Sequence, residues 1–240
     1  MKTIKEEFQK LKDPERAAHL QRYFKTGEGE YGEGDIFLGL RVPVVRKIAR
    51  KYRTISLETA TGFLQSQFHE ERLFALIVLV DCFGKASEKD KEKIYNLYLN
   101  NTEYINNWDL VDISAGKIVG ASLFNRNIEP VYILAKSKNL WERRIAIMAT
   151  SYFITKNEFD DTLKIAEIML KDKEDLIHKA VGWMLREIGK RDIETEEIFL
   201  KKHYQHMPRT MLRYAIEKFP EEKRQWYLKN KSIIEKQHFK

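Results

Sequence analysis

Apolar positions recur along this chain in helical runs that each contain a charged residue near the start. Four such runs are ERLFALIVLVDCF, WERRIAIMATSYF, HKAVGWMLREIGK and PRTMLRYAIEKFP, and a further run, NNWDLVDISAGKIVG, fills the space between the first two. The marking residues are Arg72, Asp109, Arg144, Lys179 and Arg213, which are separated by steps of 37, 35, 35 and 34 residues. A regular step in this range is typical of a solenoid built from helical pairs.

The same pattern predicts an all-α protein. Period-2 alternation of β-branched residues never runs far, whereas LFALIVLV and RIAIMATSYFI are longer apolar stretches within a 3.6-residue period. The sequence patterns of tetratricopeptide and ankyrin repeats are absent, so HEAT-like repeats of two antiparallel helices are the nearest class. Because no linker is evident, residues 1–240 are predicted to form a single curved solenoid domain.

The charge distribution favours a polyanionic partner. The chain carries 43 Lys and Arg against 36 Asp and Glu, a formal charge of +7, although an ordinary basic cytosolic protein could carry the same excess. Bases recur at similar places in successive runs, so stacked repeats would align them along a concave basic face. The candidate nucleic-acid-binding residues are Arg41, Arg46, Lys47, Arg143, Lys179, Arg186, Arg209 and Arg213.

Four side chains in these runs suit chemistry on a cationic centre beside a phosphate. Trp108 and Asp112 stand four residues apart and share one helix face, while Arg144 and Trp183 fall at equivalent points of later runs. Asp112 lies in a largely apolar segment, where a carboxylate needs either a partner or a function. Two interpretations stay open, in which Asp112 takes part in chemistry or bonds Arg144 and holds the stack together.

Other functional classes find no support in the sequence. Gly27, Gly29 and Gly32 satisfy G-x-G-x-x-G, but no strand precedes them and the neighbouring glutamates would repel a pyrophosphate. We expect a mobile loop there that closes the first helical hairpin. The histidines lack further ligands at metal spacing, and Cys82 lies in an apolar run that predicts a core role. We therefore expect neither a metal nor a cofactor.

The chain also lacks the sequence features of membrane insertion and export. No run reaches the roughly 18 apolar residues of a membrane span, and the first residues are charged without the apolar centre of a signal peptide. We expect a monomeric cytoplasmic protein without a membrane or an obligate protein partner.

Taken together, these motifs resemble the AlkD-type DNA alkylation repair family of HEAT-like-repeat DNA glycosylases. The resemblance rests on RYFKTGEGEYGEGDIFLGLRVPVVRK, NNWDLVD, LWERRIAI, HKAVGWMLREIGK and MPRTMLRYAIEKF, which follow in order over nearly the whole chain. It implies hydrolysis of the N-glycosidic bond of cationic alkylated purines, such as N3-methyladenine and N7-methylguanine, in double-stranded DNA. It also implies that the base is not flipped, that Tyr23 contacts the DNA near the lesion, and that the protein associates with the bacterial nucleoid when it acts.

By the same resemblance, the catalytic residues are Asp112, Trp108, Trp183 and Arg144. Positive charge builds on the deoxyribose as the bond to the purine breaks. Asp112 would stabilise that charge and position a water for attack at C1′. The two indoles would add cation–π stabilisation of about 1–2 kcal/mol, and Arg144 would hold a phosphate.

The motifs contain no lysine placed as a Schiff-base nucleophile, so we expect a monofunctional enzyme of base excision repair that leaves an abasic site. Two alternatives are a DNA-binding relative without excision activity and a HEAT-like scaffold for protein partners, in which Trp108 and Trp183 are packing residues.

Overall fold

Helices make up most of the protein. The computed structural model describes the backbone of residues 1–237 and the side chains of residues 1–230. Within these residues there is no β-strand, only one isolated bridge between Ile36 and Phe68. No helix in the described range is both long and apolar enough to cross a bilayer. The predicted all-α fold class is confirmed.

The α-helices are, in chain order, α1 Lys2–Lys10, α2 Pro14–Tyr23, α3 Val42–Lys51, α4 Leu57–Leu64, α5 His69–Phe83, α6 Glu88–Leu99, α7 Trp108–Ala115, α8 Ala121–Leu123, α9 Glu129–Ala135, α10 Leu140–Ala149, α11 Ser151–Thr155, α12 Asp160–Ile168, α13 Asp175–Gly189, α14 Ile193–His203, α15 Arg209–Ala215 and α16 Glu221–Gln237. A π-helical turn, Gly116–Gly120, follows α7 directly. The helices form two compact units, and the chain passes from the first to the second between Ser122 and Leu123. The prediction that residues 1–240 form a single domain stays a prediction.

In the first unit, α5 is the central helix. It packs against α3, α4 and α7, and nearly every residue of its first three turns is buried. Phe74 of α5 meets the rings of Phe8 and Phe63 at centroid distances of 5.7 Å and 5.0 Å, which fills the space towards α1 and α4. At the other end of α5, Cys82 is only half-buried, and its thiol donates to the carbonyl oxygen of Arg53 (3.6 Å), so the predicted core role is met in part.

In the second unit, α13 is the central helix. It packs against α10, α12, α14 and α15, and its buried residues recur at helical spacing from Ile177 to Ile188. Gly182 lies at a close approach of α13 to α15, because a Cβ atom built there would stand 2.4 Å from the carbonyl oxygen of Met211. The missing side chain therefore sets the separation of these two helices.

The charged residues that mark the repeat all fall within the first five residues of a helix. Arg72 and Asp109 lie on α5 and α7, which pack together in the first unit. Arg144, Lys179 and Arg213 lie on α10, α13 and α15, which pack in that order in the second unit. Within each unit, the periodic runs therefore lie side by side, as their spacing predicts. The HEAT-like class and the concave basic face remain predictions.

The glycine-rich segment is a loop between α2 and α3, as the cluster of glycines predicts, and its expected mobility stays a prediction. The backbone amide of Gly27 donates to Glu30 Oε2 and that of Gly29 to Glu33 Oε2, both at 2.9 Å. These amides are already bound by carboxylates, so they do not form a phosphate cradle. Gly39 closes the loop with φ +89°, and a Cβ atom there would lie 2.1 Å from the carbonyl oxygen of Asp13.

Candidate functional site

Trp108 and Asp112 stand one turn apart on α7. Asn107 caps the helix, because its Oδ1 accepts a hydrogen bond from the backbone amide of Trp108 (2.9 Å). This bond fixes where the helix begins. Leu110 and Val111 are fully buried, whereas Trp108 and Asp112 are partly exposed. The apolar face of α7 is thus anchored in the core, and the other face presents an indole and a carboxylate. Asp112 has interactions within the protein, so it is not an isolated charge.

An aromatic group joins Trp108 to the end of α2. Phe24 stacks on Trp108 with a centroid distance of 5.3 Å and an interplanar angle of 12°. Tyr23 meets Trp108 edge-on at 6.4 Å, and Tyr23 remains 60% exposed. The structure therefore brings together two side chains that lie 85 positions apart in the sequence. They form a partly exposed aromatic surface in the first unit.

A buried ionic network lies on the other side of this aromatic group. His69 is 2% exposed, and its two ring nitrogens lie 3.0 Å from Asp35 Oδ2 and 2.9 Å from Asp109 Oδ2. Arg72 forms an ion pair with Asp35, and Asn107 Nδ2 donates to the same carboxylate at 3.2 Å. The network ties the glycine-rich loop, α5 and the start of α7 to one another. None of these contacts is evident from the sequence. The one signal is the charged segment HEER at the start of a wholly apolar run, since charged residues are rarely buried.

The network keeps the His69 ring protonated. Burial alone would lower the pKa of His69, but the carboxylates of Asp109 and Asp35 outweigh burial and raise it to about 9. Burial would likewise raise the pKa of Asp35, yet His69 and Arg72 lower it below its ordinary range. Since both ring nitrogens face carboxylate oxygens, the doubly protonated ring is the form that donates to both.

Arg144 and Trp183 belong to the second unit, on the packed helices α10 and α13. Arg144 is 5% exposed, and its Nη1 donates to the carbonyl oxygen of Leu176 at 2.6 Å. Trp183 is partly exposed, and its Nε1 donates to Glu187 at 2.9 Å, one turn later on α13. Both polar groups are therefore held in place by hydrogen bonds within this unit.

Two of the predicted DNA-binding arginines are held in ion pairs. Arg143 binds Asp172 through Nε (2.6 Å) and Nη2 (3.3 Å), and its Nη1 donates to two backbone carbonyls. Arg186 is paired with Glu217. Their DNA contacts stay predictions, but any phosphate would have to compete with an ion pair that is already formed.

The other predicted DNA-binding residues are more accessible. Lys179 is half-buried and pairs with Asp175 at 2.7 Å. Arg209 is exposed and lies 3.4 Å from the carbonyl oxygen of Leu228, while the exposed Arg213 borders a small groove beside Tyr214. Arg41, Arg46 and Lys47 are exposed at the start and on the surface of α3.

A basic groove of about 550 Å³ runs beside α3, α5 and α7 in the first unit. Its rim carries Arg46, Arg50, Arg53, Lys85 and Lys117. The single acid of the lining, Asp81, is paired with Lys85 at 2.6 Å. The rest of the lining consists of Ala49 of α3, apolar side chains of α5, Gly84 and Ile113 of α7. The sequence already indicated the bases of RVPVVRKIARKYR, which include Arg46, Arg50 and Arg53, as a basic surface, but it did not indicate that Lys85 and Lys117 border the same groove.

The described residues contain no cluster of three or more His, Cys, Asp or Glu side chains arranged to hold a metal ion. The chemical groups present at the candidate site are thus a carboxylate, indole and phenol rings, and bases that can meet phosphates.

Comparison with solved structures shows similar folds over most of the chain. A protein described as a predicted DNA alkylation repair enzyme from Enterococcus faecalis is 19% identical, with 88% of this chain and 97% of that chain covered and a TM-score of 0.67. AlkD2 from Streptococcus mutans is 17% identical, with 87% and 99% covered and a TM-score of 0.52. The protein smu.31 from Streptococcus mutans UA159 is 18% identical, with 85% and 98% covered and a TM-score of 0.51.

Among proteins of curated function, none matches the chain significantly. The family model described as "DNA alkylation repair enzyme" matches residues 4–219. This range begins within α1 and ends just before α16. This match spans both units and every candidate site residue, and the chain therefore belongs to the DNA alkylation repair enzyme family.

Proposed function

We propose that this protein is a monofunctional DNA glycosylase that removes cationic alkylated purines, such as N3-methyladenine and N7-methylguanine, from double-stranded DNA without flipping the base. The observation that carries the proposal is the exposed side of α7, where Asp112 and Trp108 share a face beside Tyr23. A carboxylate next to aromatic faces suits a sugar on which positive charge develops. Membership of the DNA alkylation repair enzyme family supports a role in the repair of alkylated DNA.

In the proposed reaction, Asp112 positions a water and accepts its proton as the oxygen bonds to C1′. The bond between C1′ and the purine nitrogen breaks, and its electron pair neutralises the cationic base, which leaves without a general acid. Trp108 and Tyr23 pack against the deoxyribose and its neighbours. The roles of Trp183 and Arg144, a sugar contact and a phosphate contact, are proposed from the family resemblance alone. The products are the free base and an abasic site.

The basic groove supports a duplex partner. Arg46, Arg50, Arg53 and Lys117 place positive charge beside α7, and Lys117 follows Asp112 by five residues on the same helical segment. We assign phosphate contacts first to this groove and to Arg41 and Lys47, since these bases are exposed. Such contacts carry no sequence information, which suits an enzyme that acts wherever damage occurs.

The test is the release of free base from duplex DNA that contains N7-methylguanine. We expect the wild type to release the base and to spare uracil in a matched duplex. Asp112→Asn should lower the single-turnover rate by about 100- to 1000-fold while duplex affinity and the unfolding midpoint stay close to wild type. Asp160→Asn, at an exposed carboxylate of α12, is the matched control and should excise normally.

Each other outcome has a defined meaning. Normal excision by Asp112→Asn would remove Asp112 from the mechanism. Lost thermal stability in this variant would instead favour the interpretation in which Asp112 holds the helices together. No release by the wild type, with salt-sensitive binding of duplex retained, would identify a DNA-binding relative without excision activity.

A further inference from the structure

We infer that His69 is a positioning residue, whose buried ring clamps the glycine-rich loop to the start of α7 and so holds Trp108 and Tyr23 in place for the substrate. The inference rests on the proposed function, since it assigns these two aromatic side chains to the substrate. His69 itself is buried, so it acts only through its neighbours.

Two carboxylates from separate segments meet the two nitrogens of the His69 ring. Asp35 comes from the loop and Asp109 from the first turn of α7, next to Trp108. A singly protonated ring would leave one nitrogen lone pair against a carboxylate oxygen at about hydrogen-bond distance, which is repulsive. The protonated ring instead attracts both carboxylates and pulls the two segments together.

The charges around the ring balance only when it is protonated. Asp35 from the loop and Asp109 from α7 face it, and Arg72 from α5 binds the far side of Asp35. The other two acids on this part of α5 have partners elsewhere. Glu70 accepts the amides of Leu38, Gly39 and Leu40 of the loop, and Glu71 accepts a hydrogen bond from Ser66 and lies 3.9 Å from Lys5 Nζ. Loss of the ring proton would therefore leave one excess negative charge in a buried site, which is unfavourable.

A column of stacked rings gives His69 a second connection to Trp108. The His69 ring lies on Phe37 with a centroid distance of 4.4 Å, and Phe37 lies on Phe24 at 4.9 Å. Phe24 then stacks on Trp108, and Tyr23 adjoins both. A shift of the loop that carries Phe37 would thus move the indole through packing as well as through Asp109.

The first test compares His69→Asn with a control, His203→Asn. His203 lies on α14 and pairs with Glu167 of α12. We expect His69→Asn to lower the single-turnover excision rate by about 10- to 100-fold, because a small misplacement of positioning groups has costs of that size. Duplex affinity should change far less than the rate, since the exposed bases are untouched. His203→Asn should behave as wild type.

The double variant His69→Asn/Asp109→Asn separates positioning from simple destabilisation. It restores the buried charge balance, with Asp35 against Arg72, but an asparagine at position 69 is too short to bridge two segments. We expect it to be more stable than His69→Asn, because no buried carboxylate is left without a counter-charge, and still to excise slowly. Wild-type excision rates in this double variant, or in His69→Asn, would overturn the inference.

A readout that needs no activity keeps this inference distinct from the proposed glycosylase reaction. In ¹⁵N NMR spectra near neutral pH, both His69 ring nitrogens should carry protons, and the loop should resist proteolysis in the wild type and lose that resistance in His69→Asn. If the wild type releases no base, the proposed function fails while these measurements still decide whether His69 holds the loop. A singly protonated ring and equal loop protection in both proteins would overturn the clamp itself.

Discussion

The buried His69 ring predicts a specific dependence of stability on pH. Its native pKa, about 9, lies above its ordinary value of 6.5. Below pH 6.5 the ring is protonated in the folded and unfolded chains alike, so the full stabilisation is present. As the pH rises from 6.5 towards 9, only the folded chain keeps the proton, and the free energy of unfolding falls until the folded chain also loses it.

The size of this effect follows from the two pKa values. Each unit by which the native pKa exceeds the unfolded value is worth about 1.4 kcal/mol. A rise from 6.5 to about 9 therefore corresponds to about 3 kcal/mol of stability. This is a large fraction of the roughly 5–15 kcal/mol that holds most proteins folded.

Urea unfolding of the wild type and of His69→Asn between about pH 6 and pH 10 measures the effect. All other ionisable groups are common to the two proteins, so their contributions cancel in the difference between the two curves. We expect the stability advantage of the wild type to shrink by about 3 kcal/mol across this range. A difference that stays constant to within about 0.5 kcal/mol would refute the assignment of a protonated, carboxylate-bound ring.

Two further predictions concern the backbone around the site. Gly182→Ala should lower the free energy of unfolding in urea by about 1–3 kcal/mol, because the added methyl group collides with α15. The control Gly84→Ala should be nearly neutral in the same urea titration, because an added Cβ there meets nothing closer than 3.8 Å. Glu70→Gln should cost about 1–3 kcal/mol and speed proteolysis of the glycine-rich loop, because the new amide nitrogen would face the amide of Leu38. The exposed Glu92→Gln is its control, and equal cleavage rates would show that Glu70 does not anchor the loop.

Only part of the candidate site could be predicted from the sequence. The spacing of Trp108 and Asp112 placed both on one helix face, because an i, i+4 relationship is local and follows from the helix repeat. The pairing of Arg143 with Asp172 was not predicted, since 29 residues separate them and a base near the start of a helix looks the same whether it meets a phosphate or a carboxylate.

The pattern of apolar and charged positions determined the all-α class and the regular return of α5, α7, α10, α13 and α15, because amphipathic periodicity is encoded within each segment. It also determined that the glycine-rich segment is a loop, because clustered glycines interrupt the helical periodicity. Only the tertiary structure decided that the loop is clamped by Glu70 and His69 and that Tyr23 meets Trp108. Those contacts join segments about 30 or more positions apart, and they depend on how α2, α5 and α7 pack, which local propensities do not specify.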